Sequence, residues 1–386
     1  MSSQSPAAEA LARFFMEQPR VDDAAFVEVM AERFAAAGFP LWRISYALMT
    51  KHPEVLWRTV QWQEEAGVVV RDQPHSRLDD PFYTKSAVAV VRRSKAPVRV
   101  RLVAGELPFP ICHDLRDQGG TDYCALPIAF TNGQVSYVSF ATTSADGFSD
   151  AFLELLDAVR PFLARRLELE SSYYATTALL DVYLGKNASR RVLAGAFQRG
   201  QGELIDAAIW FSDMRDFTSL TDGANPAEVV AILDATFDAI ASAVAEHGGE
   251  VLKFIGDAVL AIFPIEGDGA AACQHALAAA HQALAALSKT NQDRTHPIKI
   301  GIGLHRGSVM YGNIGARDRL DFTVISAAVN EASRLESLCK TLGTPLALSG
   351  TFVEAAGGAE FVDLGEHALK GVKSKLRVFT SAGATR

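Results

Sequence analysis

The sequence lacks any uninterrupted apolar run long enough to span a bilayer, and its opening residues, MSSQSPAAEALARFF, lack a basic stretch followed by an apolar core and a cleavage site. The expectation is a cytoplasmic chain with no membrane partner. Cysteine is scarce: Cys112, Cys124, Cys273 and Cys339 are scattered without a CxxC spacing, which excludes a disulfide framework and a zinc knuckle in favour of reduced, buried thiols. His113 beside Cys112 has no third ligand at a matching spacing, so the pair is weak evidence for a metal. Basic excess is also missing. With 37 Lys and Arg against 45 Asp and Glu, the net charge of -8 offers no general attraction for nucleic acid or anionic lipid. What remains is an ordinary globular composition, 49% hydrophobic and 21% charged over 386 residues, long enough for two or three domains.

Apolar residues at helical spacing from Leu11 to Phe34 read as one helix over about 7–37, stopped by Gly38 and Pro40. From Leu41 the runs RISYAL, VLWRTVQW, GVVVR, AVAVVRR and VRVRLV read as strands separated by Pro, Gly and Asp clusters. Thr131-Asn132-Gly133 between two apolar alternations is a hairpin signal. Ser149 and Asp150 then cap a long helical pattern that continues towards Leu184. With no local partner evident for its apolar stripe, this helix is expected to pair with its copy in a second chain.

The order of strands, the GGTDYCALPI run, the hairpin and the closing helix resemble GAF-type sensor domains over about residues 41–168. The resemblance rests on element order and identifies no ligand, although such a domain would admit a small-molecule regulator. Tyr83, Asp122 and Tyr123 are read as core, and no N-terminal binding residue is nominated.

In the second half, AAIWF is a buried-strand run that delivers Asp213 to its end, just before a helix expected near Phe217. A carboxylate there, beside free helical N–H groups, suits a metal and phosphate site. A helix from Pro226 to His247, ended by Gly248-Gly249, is followed by EVLKFIGDAVLAIF, two strands pinched at Gly256-Asp257. If those strands neighbour the first, Asp257 lies beside Asp213, and paired carboxylates bind hard divalent ions. Asn330 and Arg334 stand four apart in the helical stretch AAVNEASRLESLC and share one face.

WFSDMRDFTSLTD, GGEVLKFIGDAVLAIF, IGIGLHRGSVMYGNIG and DFTVISAAVNEASRLE together resemble the class III adenylate and guanylate cyclase family, from about Gly185 to Phe379. The resemblance implies an α+β chain: a ferredoxin-like catalytic domain working as a head-to-tail homodimer, preceded by the GAF-like α/β domain. The expected segments are an N-terminal helical segment over 1–40, the sensory domain over 41–168, a helical linker over 169–198 and the catalytic domain over 199–386. By position, Asp213, Asp257 and the Met214 backbone match the sites of two divalent metal ions, Mg²⁺ or Mn²⁺. Lys253 and Thr323 match the purine readers, and this pair implies ATP, since a lysine donor and a hydroxyl acceptor suit adenine. Phe217, Thr218 and Lys370 match positions that meet the phosphates, with Lys373 as an alternative to Lys370. Asn330 and Arg334 match the ribose-orienting and transition-state-stabilising residues. Each pocket would take its aspartates from one subunit and its Lys, Thr, Asn and Arg from the other.

Two departures stand out. Asp216 occupies a position where the family has Gly; it can adopt a left-handed backbone but brings negative charge near incoming phosphate. Ser326-Ala327 replaces the usual Gly-Asp, with a modest effect expected. Taken singly, the aspartates read as turn residues, Lys253 as a solvated lysine, and His247, His305 and His367 as turn or packing groups. The competing functions are a nucleotide-binding signalling module with weak or no turnover and, remotely, an RNA-binding module, for which stacking aromatics on a basic sheet are missing.

Overall fold

Gln18-Pro19 breaks the N-terminal helical stretch. Proline lacks the N–H a helix needs and drives the preceding residue to an extended backbone; Gln18 has ψ 121°. The computed structural model, which describes residues 5–103, 105–294, 296–357, 360–369 and 375–382, therefore shows two helices, α1 (Pro6–Glu17) and α2 (Asp23–Ala36), where the spacing predicted one. Asp22 caps the second, its carboxylate accepting from the Ala25 N–H at 2.9 Å. The described chain divides into two units, one ending at Val182 and the other beginning at Tyr183.

The first unit continues with β1 (Arg43–Met49), β2 (Val55–Gln63), β3 (Gly67–Pro74), α3 (Pro81–Thr84), α4 (Ala87–Ser94), β4 (Val98–Arg101), α5 (Pro110–Asp117), β5 (Asp122–Ala129), β6 (Val135–Thr142) and α6 (Asp150–Leu184). The strands form one antiparallel sheet in the order β3-β2-β1-β6-β5-β4. AVAVVRR is α4, not a strand. Ser86 caps it by accepting from the Ala89 N–H, and Ala87 and Val91, four apart, bury the same face.

Each strand sends alternate side chains to opposite faces of the sheet. Ile44, Tyr46, Leu48, Val138 and Phe140 meet α1, α2 and α6 in a core that includes Phe26, Phe34 and Phe152. The opposite face, with Ala47, Trp57, Ala125 and Ala141, packs with Ala87 and Val91 of α4 and Leu115 of α5. The stripe of α6 thus has a local partner: Phe152, Leu155, Leu156, Val159, Leu163 and Leu167 are buried in the first core, which removes the need for a second chain over this part. Burying each such side chain contributes about 1.5–3 kcal/mol.

The second unit contains α7 (Lys186–Leu193), β7 (Gly202–Met214), α8 (Phe217–Thr221), α9 (Pro226–Glu246), β8 (Glu250–Ile255), β9 (Ala258–Pro264), α10 (Ala270–Thr290), β10 (Ile300–Gly315), β11 (Leu320–Ile325), α11 (Ala327–Leu342), β12 (Leu346–Ser349), α12 (Gly350–Ala356), β13 (Phe361–His367) and β14 (Leu376–Ser381). Its sheet runs β13-β14-β12-β10-β7-β9-β8, with β11 paired to β10. The inner β10-β7-β9-β8 order, with α9 and α10 as crossovers, is the ferredoxin-like arrangement expected for this half. All four cysteines are free and buried. Among the described residues no helix is long and apolar enough to cross a membrane.

Candidate active site

Strand pairing brings the two aspartates together. Ser212 of β7 faces Val259 of β9, so the Gly256-Asp257 turn just upstream of Val259 lies alongside Asp213. Gly256 closes that turn with φ +65°, a conformation that L side chains rarely adopt. Burial first, and then the Asp257 carboxylate that is hydrogen-bonded to it, hold the Asp213 carboxyl above its ordinary range, while the Met214 N–H pulls the other way. Two acids pressed together in this way form a donor set that a hard divalent cation relieves. Among the described residues no group of three or more His, Cys, Asp or Glu side chains gathers for a metal, so the remaining oxygens would come from backbone carbonyls such as that of Met214, water and substrate phosphates.

The loop after Asp213 is tied to α11 by two ion pairs. Arg215 reaches the buried Glu336, Nη2 to Oε1 at 3.0 Å, and donates to the Glu336 carbonyl at 3.2 Å. Burial pushes Glu336 up to about 7 despite Arg215, so the arginine only partly offsets desolvation. Asp216 adopts the left-handed backbone expected of it, with φ 57°, and its carboxylate accepts from Lys340 at 2.9 Å. Lys340, together with Arg215, keeps the Asp216 carboxyl below its usual range. The added negative charge at this position thus has a counterion on α11 that the sequence reading missed; both side chains are exposed, so the pair contributes little to stability. Phe217 opens α8 and packs half-buried against the core, while Thr218 is exposed. At five residues α8 has a negligible macrodipole, but its first N–H groups lack intrahelical partners.

Lys253 on β8 forms an ion pair with Asp321 on β11, and Thr323, two residues on and 8% exposed, follows on the same face of β11. The predicted purine readers are therefore neighbours within one chain, with Asp321 as a third member that the motif comparison did not single out. Asn330 and Arg334 are exposed on one face of α11 and have no hydrogen bond or ion pair to any described residue. The opposite face of that helix lies flush on β10 because glycines leave room for it. A Cβ on Gly303 would meet the Ala332 carbonyl and come within 2.5 Å of the Glu336 nitrogen, and one on Gly307 would lie 2.6 Å from the Ala328 Cβ. Lys370 and its alternative Lys373 lie outside the described residues.

The histidines sit apart from this chemistry. His305 is pushed down to about 4 by burial; its Nε2 lies 3.2 Å from a Glu331 carboxylate oxygen, and its Nδ1 shares a hydrogen bond with the Ser349 hydroxyl at 2.9 Å. His247 and His367 bond to the Ala243 and Leu364 carbonyls of their own helix end and turn.

Residues 202–382 match the adenylate and guanylate cyclase catalytic domain family. The chain is 34% identical over 211 residues to adenylate cyclase 1 of Rhizobium meliloti and 38% identical over 153 residues to an adenylate cyclase of Anabaena cylindrica. These alignments take in 53% and 38% of this chain, which spans about a third of each relative, 32% and 30% of their lengths. A solved bacterial light-regulated adenylyl cyclase shares the fold, with TM-score 0.51 at 22% identity over 72% of this chain and 89% of that one. On the strength of the family match and of the four motifs in their order, residues 202–382 belong to the adenylate and guanylate cyclase catalytic domain family.

Proposed function

We propose that the chain is an adenylate cyclase, converting ATP to 3′,5′-cyclic AMP and pyrophosphate in pockets shared by two head-to-tail copies of the catalytic unit. The observation that carries this is the juxtaposed pair of Asp213 and Asp257, with the Asp213 carboxyl held above its ordinary range by burial and then by Asp257. Two divalent ions, Mg²⁺ or Mn²⁺, when bound there would acidify the 3′-hydroxyl and neutralise the leaving pyrophosphate. The chain's own residues do the rest. Asp213, Asp257 and the Met214 backbone hold the ions, and the N–H groups at Phe217 and Thr218 receive phosphate oxygens. Lys253 donates to an adenine ring nitrogen and Thr323 accepts from the exocyclic amine. Asn330 orients the ribose, and the Arg334 guanidinium stabilises the charge that grows on the α-phosphoryl oxygens.

Dimerisation is supported by the Asn330 and Arg334 side chains, which have no partner among the described residues, and by apolar side chains left open on β8 and β11. Phe254, Ile255 and Ile325 are 49%, 47% and 56% exposed. The two relatives named adenylate cyclase and the Lys253/Thr323 pair support ATP over GTP. The first unit is read as a GAF-like sensor over 41–168 that takes a small-molecule regulator and acts on the catalytic unit through the helix ending at Leu184.

Cyclic nucleotide formation by the purified chain, with ATP or GTP and with Mg²⁺ or Mn²⁺, tests this against an Asp257→Ala control. Cyclic AMP that disappears in the control is the expected result. Nucleotide binding without turnover in every metal, by a dimeric protein, would establish the signalling module instead, with Asp216 and the Lys253–Asp321 pair as its marks.

A further inference from the structure

The inner faces of the first unit differ in polarity in a way packing does not require. On β1 the side chains facing α1, α2 and α6 are Ile44, Tyr46 and Leu48, whereas those facing the other way are Arg43, Ser45 and Ala47. A sheet covered by helices on both faces ordinarily reads as apolar on both. Here the second face is polar around a cavity of about 360 Å³, a volume suited to a small organic molecule.

Arg43 lines that cavity and is 7% exposed, and its side chain has one partner, the neutral amide oxygen of Gln61 at 2.7 Å. Among the described residues no carboxylate forms an ion pair with it; Asp114 stands exposed at the rim, and Arg77 is already paired to Asp80. Arg71, exposed at the mouth, adds a second positive charge that works against Arg43, as burial does more strongly. The two phenols nearest Arg43 are no counterions. Burial holds Tyr123 and Tyr137 well above their ordinary range, and their hydroxyls are engaged with Ser139 and with Ser45 and Thr59. Burying a guanidinium without an anion is costly, and removing such a charge normally stabilises a fold.

One wall is aromatic. The Trp57 and Tyr83 rings lie with centroids 5.1 Å apart, and Arg92 fixes them by lying over Trp57 at 5.1 Å and donating to the Tyr83 hydroxyl at 2.8 Å. The two rings, tilted at 43° to one another, give an apolar aromatic wall beside a desolvated cation.

We infer that the cavity between the sheet and α4–α5 of the first unit is a binding site for a small organic anion, a carboxylate or phosphate on a flat apolar body, with Arg43 as the residue that receives its charge. The ring of the ligand lies against Trp57 and Tyr83, and Arg71 draws the anion to the mouth. The inference deepens the sensor reading of the first unit by naming its ligand class and rests on that reading only for a regulatory role; its test reads binding and not turnover, so it fails or stands apart from the cyclase activity.

Calorimetric melting of the full chain with 2-naphthoate, 2-naphthyl phosphate or neutral 2-naphthol distinguishes the two anion chemistries from a merely apolar cavity. Either anion raises the melting midpoint of the first unit by several degrees at saturation, naphthol does not, and whichever anion acts names the headgroup. Arg43→Met abolishes the shift while leaving the ligand-free midpoint equal to or above that of the parent, the opposite of what loss of a structural arginine does. Arg71→Ala, at an exposed position that folding does not need, weakens binding by roughly three- to tenfold and flattens its salt dependence. The proposal is overturned if neither anion moves the midpoint at about 10 mM, where even a site with Kd near 1 mM is filled. It is equally overturned if naphthol acts as strongly as the anions, or if Arg43→Met lowers the ligand-free midpoint.

Discussion

The two units carry opposite imbalances. Among the described residues, Asp213 and Asp257 of the second are carboxyls with no ion pair to a cation, and Arg43 of the first is a buried cation with no ion pair to an anion. Other buried charges have counterions: Arg99 binds Asp122 at 2.7 Å, Arg166 binds Glu170 at 2.8 Å, and Arg215 binds Glu336 at 3.0 Å. The comparison teaches that an unmatched charge held in place by well-packed strands marks where the folded chain is incomplete, and its sign says what completes it.

The sharpest way to break the comparison is to neutralise each site. Asp257→Ala is expected to lower cyclic AMP formation by at least about 10³-fold, since it removes one of the two carboxylates proposed to hold the metal ions. Arg334→Ala should cost about 10²–10³-fold, mainly in kcat. Mixing these two inactive variants tests the shared pocket: half of the dimers are mixed and each has one intact pocket, so activity should return to about a quarter of the parent's. No recovery, in subunits shown to exchange, would place the whole site within one chain.

Smaller effects probe base choice and pH. Lys253→Glu with Thr323→Cys should move preference from ATP towards GTP by roughly 10–10³-fold in the ratio of kcat/KM. The pH arm follows from Asp213, whose folded pKa is raised. The unfolded chain releases this proton first, so the penalty is absent at low pH and grows as pH rises from the unfolded value through the folded one. In EDTA the parent should lose midpoint with pH over that window, and Asp213→Asn should lose less. Metal-free melting curves over the acid range decide this, and parallel losses would remove the repulsion. Smallest of all, Lys340→Ala is expected to raise the KM for metal-bound ATP a few-fold and to have no effect once Asp216→Gly is also made. Equal losses in both backgrounds would mean that Lys340 does something other than balance Asp216.

Much of the catalytic unit was legible because its signals are local: a buried run ending in Asp213, a Gly-Asp turn, and Asn330 and Arg334 at helical spacing. Its ion pairs were not, since Arg215 and Glu336 are 121 residues apart and meet only through the packing of α11 on β10. The misreadings in the first unit have the same origin. AVAVVRR alternates little and was read by its β-branched content, whereas the Ser86 cap and burial of Ala87 with Val91 decide for helix. Pro19 was outweighed by apolar spacing on either side of it. RISYAL reads as a strand, but sequence does not disclose that α4 and α5 cover the face that carries Arg43.

The glycines of β10 divide the catalytic unit for anyone wishing to re-engineer it. Lys253 and Asp321 present partly exposed, replaceable side chains, whereas the buried Thr323 admits only small ones, so a library aimed at a new base can be broad at the first two positions. Gly303 and Gly307 allow no such latitude, since any added carbon meets the backbone or Ala328 of the helix that carries Asn330 and Arg334. Diversity in substrate choice and constancy in the chemical step are thus assigned to different residues, and new specificities can be sought while the machinery of bond formation stays in register.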